Sequence, residues 1–384
     1  MKRFIPYARQ DINENDIQAV VEILQSDWLT QGPTIEKFEK ACQTFCQVPH
    51  VVAVNSATAA LHLACLALDV QQGDYVWTSP NTFVASANCA LFCGGKVDFV
   101  DIDKKTYNLC PQKLEEKLLK AKKTNQLPKV VIVVHFAGQA CDMKKIKYLS
   151  GVYDFRIIED ASHALGAFYE DKPVGSCQYS DLTIFSLHAV KIMTSGEGGL
   201  LATQSSGLYE KIKLLRSHGV TRDVKQMTVD SPGDWYYQQI ALGFNYRLTE
   251  IQSALGLSQL KRLNEFTTKR RQIAQRYDNA LKDLPIITPW QAAQVASSYH
   301  LYPIQILEKN RKEVFNRLRE KGIGVNVHYI PVHTQPYYQQ LGFKQGDFPI
   351  SEGYYEKAIS LPIHTSLKDE EQNYVIETLE DILR

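Results

Sequence analysis

Between residues 51 and 202, short β-branched runs alternate with amphipathic stretches. The runs at 51–54, 75–78, 97–100, 130–135, 156–159 and 182–185 predict strands, each four to six residues of mostly Val, Ile, Phe or Tyr. Segments 58–68, 83–93, 112–123 and 142–150 carry apolar residues at helical spacing and predict the intervening helices. This alternation predicts an α/β fold with a large, mostly parallel sheet covered on both faces. Further on, Leu248, Ile251, Leu255, Leu260, Leu263, Phe266, Ile273, Tyr277 and Leu281 recur with helical period, predicting one long helix over 248–282 that stops before Leu284-Pro285. A second α/β unit follows, with strands predicted at 300–306 and 324–329 and helices at 310–321 and 368–383. The pattern divides the chain into a large domain, 13–255, and a smaller one, 256–384 together with 1–12.

Composition narrows the picture by exclusion. The 384 residues are too many for one small core. A net charge of +1 gives no bulk attraction to nucleic acid or to an anionic membrane. The start, Met1-Lys2-Arg3-Phe4-Ile5-Pro6, lacks the apolar core of a signal peptide, and no apolar run has membrane-spanning length. A cytoplasmic protein without nucleic-acid or membrane partners is the expectation. The eight cysteines include no Cys-x-x-Cys pair, which points to buried free thiols. His328 and His333 stand five apart with no third ligand in sight, so no metal is expected.

Three segments at predicted strand ends carry chemistry, and ligands of open α/β sheets gather beyond the carboxyl ends of the strands. Asn55-Ser56-Ala57-Thr58 opens a helix with small hydroxyl residues, as a phosphate seat does; an ordinary N-cap has the same look. Glu159-Asp160-Ala161-Ser162-His163 follows an apolar strand. A carboxylate there can keep a ring nitrogen protonated, although Asp160 also reads as a helix cap and His163 as an interior histidine. Ser186, His188 and Lys191 precede the tight turn Ser195-Gly196-Glu197-Gly198-Gly199. Lys191 alone reads as a solvated surface charge, but between two buried strands an amine can be desolvated and bonded to a carbonyl cofactor. The order phosphate seat, acidic strand end, lysine loop is that of fold-type I pyridoxal phosphate enzymes. No Gly-x-Gly-x-x-Gly follows an early strand and no P-loop lysine motif is present, which removes dinucleotide oxidoreductases and P-loop NTPases.

The chain resembles the DegT/DnrJ/EryC1/StrS family of nucleotide-sugar aminotransferases nearly end to end. The resemblance is carried by Leu29-Thr30-Gln31-Gly32-Pro33, Asn55-Ser56-Ala57-Thr58-Ala59-Ala60-Leu61, Glu159-Asp160-Ala161-Ser162-His163-Ala164, Lys191 with Glu197-Gly198-Gly199, and Gly243-Phe244-Asn245-Tyr246-Arg247-Leu248-Thr249-Glu250-Ile251-Gln252. Ser162-His163-Ala164-Leu165-Gly166, Arg216-Ser217-His218-Gly219 and Val327-His328-Tyr329 look like the pseudaminic acid branch, whose members aminate C4 of a UDP-linked 2-acetamido-2,6-dideoxy-4-hexulose. Leu187 and Ile192 depart from related sequences, which often carry an aromatic residue and a proline there; neither departure removes a reacting group.

The resemblance implies a fold-type I transferase with a seven-stranded sheet, pyridoxal 5'-phosphate as cofactor, L-glutamate as donor and a homodimer with shared sites. It implies Lys191 as the Schiff-base lysine and proton carrier, Asp160 on the ring nitrogen and His163 near the ring oxygen. Ser56, Ala57, Thr58 and Ser186 would hold the phosphate, Phe83 would lie against the ring, and Asn245 would reach the phosphate of the neighbouring subunit. Tyr7, Asp27, Trp28, Leu29, Thr30, Asn326, Val327, His328 and Tyr329 would contact the nucleotide sugar, with packing as the alternative for Tyr7 and Tyr329. Arg222 and Arg247 are candidates for the anionic groups of donor and sugar diphosphate. The rival readings are an aminotransferase for another UDP- or dTDP-4-ketosugar, and a non-catalytic cofactor-binding regulator on the same scaffold.

Overall fold

The computed structural model describes residues 4–384; the first three residues of the segment 1–12, assigned above to the smaller domain, lie outside it. Seven strands, His50–Val54 (β1), Tyr75–Thr78 (β2), Lys96–Phe99 (β3), Val130–Val134 (β4), Arg156–Asp160 (β5), Leu182–Ser186 (β6) and Gly199–Thr203 (β7), form one sheet in the order β1-β7-β6-β5-β4-β2-β3. Six run parallel, and β7 alone runs against its neighbours β1 and β6. The interior strand β4 is Val-Val-Ile-Val-Val with every residue buried, as a strand covered on both faces requires.

Helices Pro33–Cys46 (α2), Ala57–Ala67 (α3), Ala85–Phe92 (α4), Pro111–Thr124 (α5), Met143–Tyr153 (α6) and Ser206–Arg216 (α7) cover the two faces, while Glu14–Leu24 (α1) packs on the helix Glu250–Leu260. Separate apolar clusters fill the two faces, one containing Phe38, Trp77 and Phe185, the other Leu61, Leu63 and Phe99. Helix α3 is apolar nearly all round, from Ala59 to Ala67, because it is buried on nearly all sides. A third cluster, with Ile273, Tyr277, Ile304 and Leu379, packs on a sheet of Ile286–Ile287, Tyr302–Ile306 and Ala358–Leu361. The N-terminal segment joins this C-terminal sheet region: Ile5 N–H donates to Gly322 O, and Gly324 N–H donates to Ile5 O. All eight cysteines are free thiols, and only Cys93 is not fully buried. Among the described residues, no helix is long and apolar enough to cross a membrane.

Two predicted elements differ. The long helix over 248–282 is two helices, Glu250–Leu260 (α8) and Leu263–Leu281 (α9), broken at Lys261-Arg262. Both bury a face, so the apolar period runs on across a two-residue interruption that contains neither Gly nor Pro. At the break the Arg262 guanidinium bonds to Asp11 at 2.9 Å and to the fully buried Asp16 at 2.8 Å. The strand predicted at 324–329 is an extended segment with single bridges on either side, Ile5↔Ile323 and Asn326↔Ser360. It serves each neighbour for one residue and then turns away, with a cis peptide bond between His328 and Tyr329.

Candidate functional site

A cavity of about 590 Å³ opens at the carboxyl ends of β1, β6, β5 and β4. Its walls bring together Ser56, Ala57, Thr58, Phe83, Asp160, His163, Ser186 and Lys191 from the sheet side, with Tyr7, Asn326, Val327, His328 and Tyr329 opposite.

The phosphate seat follows from strand register. Val54 at the end of β1 and Ser186 at the end of β6 both pair with Gly199, the first residue of the antiparallel β7. A Cβ on Gly199 would lie 2.6 Å from the Ser56 carbonyl carbon and oxygen and 2.7 Å from Ala57 N, so only glycine lets the α3 N-terminus close against the sheet. Ser56 caps α3 by accepting the Ala59 N–H at 3.1 Å. Among the described residues, no acceptor in the chain meets the N–H groups of Ala57 and Thr58, which remain free for an anion at a helix N-terminus.

Asp160 is 5% exposed. One carboxylate oxygen accepts from Ser86 Oγ at 2.6 Å and the other from the Ser162 N–H at 3.1 Å. Ser86 in turn shares a 2.8 Å hydrogen bond with Thr82. Lys191 sits on a turn closed by its own N–H donating to His188 O at 2.9 Å. Burial pushes its amine down to about 8, with the Asp160 charge opposing part of that shift.

Of the histidines lining the cavity, His328 lies on the opposite wall and His163 on the sheet side. Burial, with the charge of Lys191 behind it, pushes His328 down to about 3. His163 is held well below the ordinary histidine range by burial first, then by the charges of Lys191 and His328. Its Nδ1 accepts the Ala137 N–H at 3.3 Å, and its Nε2 lies 3.0 Å from Tyr329 Oη. Gly138 (φ +100°) lets residues 298–299 approach, since a Cβ there would meet Ser298 Oγ at 2.6 Å. Ser298 Oγ then donates to His163 O at 2.9 Å.

Seven of the residues singled out in the sequence lie elsewhere. Asp27, Trp28, Leu29 and Thr30 are exposed and line no part of this cavity; Leu29 O accepts the Glu250 N–H and Thr30 bridges to Thr249. Asn245 is exposed outside the cavity, with its carbonyl accepting from Asn55. Arg222 is exposed and Arg247 half-buried, and neither lines the wall. Lys191 is the one Lys or Arg lining the cavity among the described residues. No group of three metal-ligating side chains occurs among them either; His328 bonds to Ser360 and His333 to Glu352. Sequence reading missed Ser86 and Val134, which join the wall. Val134 is the last residue of β4, in register with Asp160. The strand end was a readable signal for Val134, whereas the reach of Ser86 from α4 to Asp160 had none.

A doubly covered, mostly parallel sheet that aims a lysine, a buried carboxylate and a helix N-terminus into one cavity defines a fold-type I transferase. The chain belongs to the DegT/DnrJ/EryC1/StrS aminotransferase family, whose profile matches residues 10–380. It is an enzyme of the nucleotide-sugar aminotransferase class. The spore coat polysaccharide biosynthesis protein SpsC of Bacillus subtilis is 40% identical, the match covering 99% of this chain and 97% of that one. The UDP-4-amino-4,6-dideoxy-N-acetyl-beta-L-altrosamine transaminase of Campylobacter jejuni is 38% identical with the same coverage. Among solved structures, Helicobacter pylori PseC, an aminotransferase involved in the biosynthesis of pseudoaminic acid, superimposes with a TM-score of 0.90 at 33% identity over 99% of each chain.

Proposed function

We propose that the chain transfers the amino group of L-glutamate to C4 of a UDP-linked 2-acetamido-2,6-dideoxy-4-hexulose, giving UDP-4-amino-4,6-dideoxy-N-acetyl-altrosamine as in pseudaminic acid biosynthesis. The observation that carries the reading is a half-buried Lys191, its amine made less basic by burial, in one cavity with a buried Asp160 and a free helix N-terminus. The altrosamine transaminase and PseC support the choice of sugar.

The residues present fit pyridoxal phosphate. Ala57 and Thr58 N–H with the Ser186 and Ser56 hydroxyls suit its phosphate, and Asp160, fixed by Ser86 and Ser162, suits its ring nitrogen. Phe83 and Val134 are the apolar surfaces for the ring. When bound, this cofactor supplies a carbonyl for amine exchange and a protonated ring that draws electrons from the reacting carbon. Lys191 moves the proton at that carbon, a task suited to an amine whose burial makes it less basic. Asp160 keeps the ring nitrogen protonated, and Tyr7 and Asn326 to Tyr329 form the sugar wall.

The wall offers one cation to ligands that carry a phosphate, a diphosphate and two carboxylates. That shortfall favours a homodimer in which a second copy completes each site, with Asn245 reaching the neighbour's cofactor phosphate. Exposed Trp235, Tyr237 and Leu242 on the segment before Asn245 suit an interface between copies. The similarity to SpsC favours, as second reading, an aminotransferase for a different nucleotide sugar. Incubation with glutamate and a panel of UDP- and dTDP-4-ketosugars, followed by assignment of the product stereochemistry at C4, decides. Turnover confined to dTDP sugars removes the first reading.

A further inference from the structure

The direction of hydrogen bonds through His163 can be followed atom by atom. A backbone N–H donates only, so Ala137 makes His163 Nδ1 an acceptor, at 3.3 Å. A neutral imidazole then carries its hydrogen on Nε2, which faces Tyr329 Oη at 3.0 Å. Tyr329 is therefore the acceptor of that bond, and its own hydroxyl hydrogen is left over. Among the described residues no acceptor in the chain meets it, and Tyr329 lines the cavity.

The ring is held rigidly for this purpose. The Tyr329 N–H donates to Asn81 Oδ1 at 3.3 Å, and its ring packs edge-on against Phe136 with centroids 6.2 Å apart. The imidazole of His163 is held from behind by His300, with ring centroids 4.4 Å apart, and its main chain by Ser298. His300 is 3% exposed, and the Arg270 guanidinium donates to its carbonyl at 3.3 Å. Burial raises the Tyr329 phenol, with the charges of Asp160 and Tyr7 adding, so it stays protonated through the working pH range.

We propose that Tyr329 donates its hydroxyl hydrogen to the oxygen on the reacting carbon of the ketosugar, with His163 as the positioning residue that aims it. The donors and acceptors that would hold the cofactor's phosphate and ring nitrogen lie on the sheet side, which leaves the free donor on the opposite wall for the second ligand. Its hydrogen bond polarises the carbonyl toward attack by an amine, whereas the reaction with glutamate meets an oxygen on the reacting carbon only at its last step, the hydrolysis that releases the 2-oxo acid after the cofactor's absorbance has changed. The inference rests on the ketosugar reading above.

Tyr329→Phe in the cofactor-loaded enzyme tests it, each half-reaction being followed separately in single turnover by the cofactor's absorbance. The expected result is a loss of about 100-fold with the UDP-4-ketosugar and less than about threefold with glutamate, the size seen when one donor to a developing oxyanion is removed. The pH profile of the sugar half-reaction is expected to keep its shape. Equal loss in both halves, no loss in either, or disappearance of an alkaline limb overturns the proposal. Wild-type enzyme that reacts with glutamate but with no 4-ketosugar removes the substrate reading and this inference with it.

Discussion

At the scale of single residues, the site depends on two kinds of position: groups that react and groups that make room. Replacing Lys191 with Ala is expected to lower turnover about a thousandfold or more and to abolish the visible absorbance of bound cofactor, with the fold retained by circular dichroism. The depressed amine also sets a pH dependence. Only the neutral amine attacks a carbonyl, and burial brings that form in above about 8 instead of near the ordinary lysine value. Loading of cofactor-free enzyme should therefore quicken about tenfold per pH unit from 6 toward 8 and level off above it, as stopped-flow absorbance can show. A rate still climbing toward 10 would contradict a buried amine. Gly199→Ala places a Cβ against the Ser56 carbonyl. It is expected to cost about 1–3 kcal/mol by thermal denaturation and to weaken cofactor binding about tenfold in an equilibrium titration. Asp160 and Ser186 were legible because each closes a recognisable strand, and Lys191 because it stands in the loop that follows them in a fixed order. Ser86 and His300 were not, because their meaning lies in what tertiary packing sets beside them, Asp160 in one case and His163 in the other.

At the scale of elements, the strands were legible wherever both faces are buried, since a run such as Val130–Val134 leaves a continuous apolar signal. The α8–α9 break was hidden because an apolar period reports burial and is blind to an interruption that keeps the face aligned. What marks the break is polar and distant in sequence. Asp16 in α1 receives Ser258 Oγ at 2.6 Å, Gln259 Nε2 at 2.7 Å and Arg262 Nη2 at 2.8 Å. Asp16→Ala leaves that guanidinium with Asp11 alone and strips Ser258 and Gln259 of their buried acceptor, and is expected to cost about 1–3 kcal/mol, read from the denaturant midpoint. A cost below about 1 kcal/mol would show that the junction holds without it. Segment 324–329 misled for the opposite reason: its alternation fits a strand, but its partners change after one residue on each side.

At the scale of the whole molecule, the proposed sharing of sites between two copies makes a prediction that a monomer cannot imitate. Lys191→Ala and Asn245→Ala chains, each inactive alone, should regain activity when unfolded together and refolded as a mixture. One site of the mixed dimer then receives an intact Lys191 from one chain and an intact Asn245 from the other. No recovery would place Asn245 in its own chain's chemistry or outside the chemistry altogether. The cavity itself has a consequence for descent. Its proposed cofactor end is written into the strand ends of the large sheet, whereas its proposed sugar wall is carried by Tyr7 and residues 326–329, which hang on the C-terminal sheet. Mutations that retune the choice of sugar can thus accumulate on one stretch of chain while the lysine and its partners stay untouched. A lineage built this way can diversify the sugars it aminates without reinventing the amine transfer.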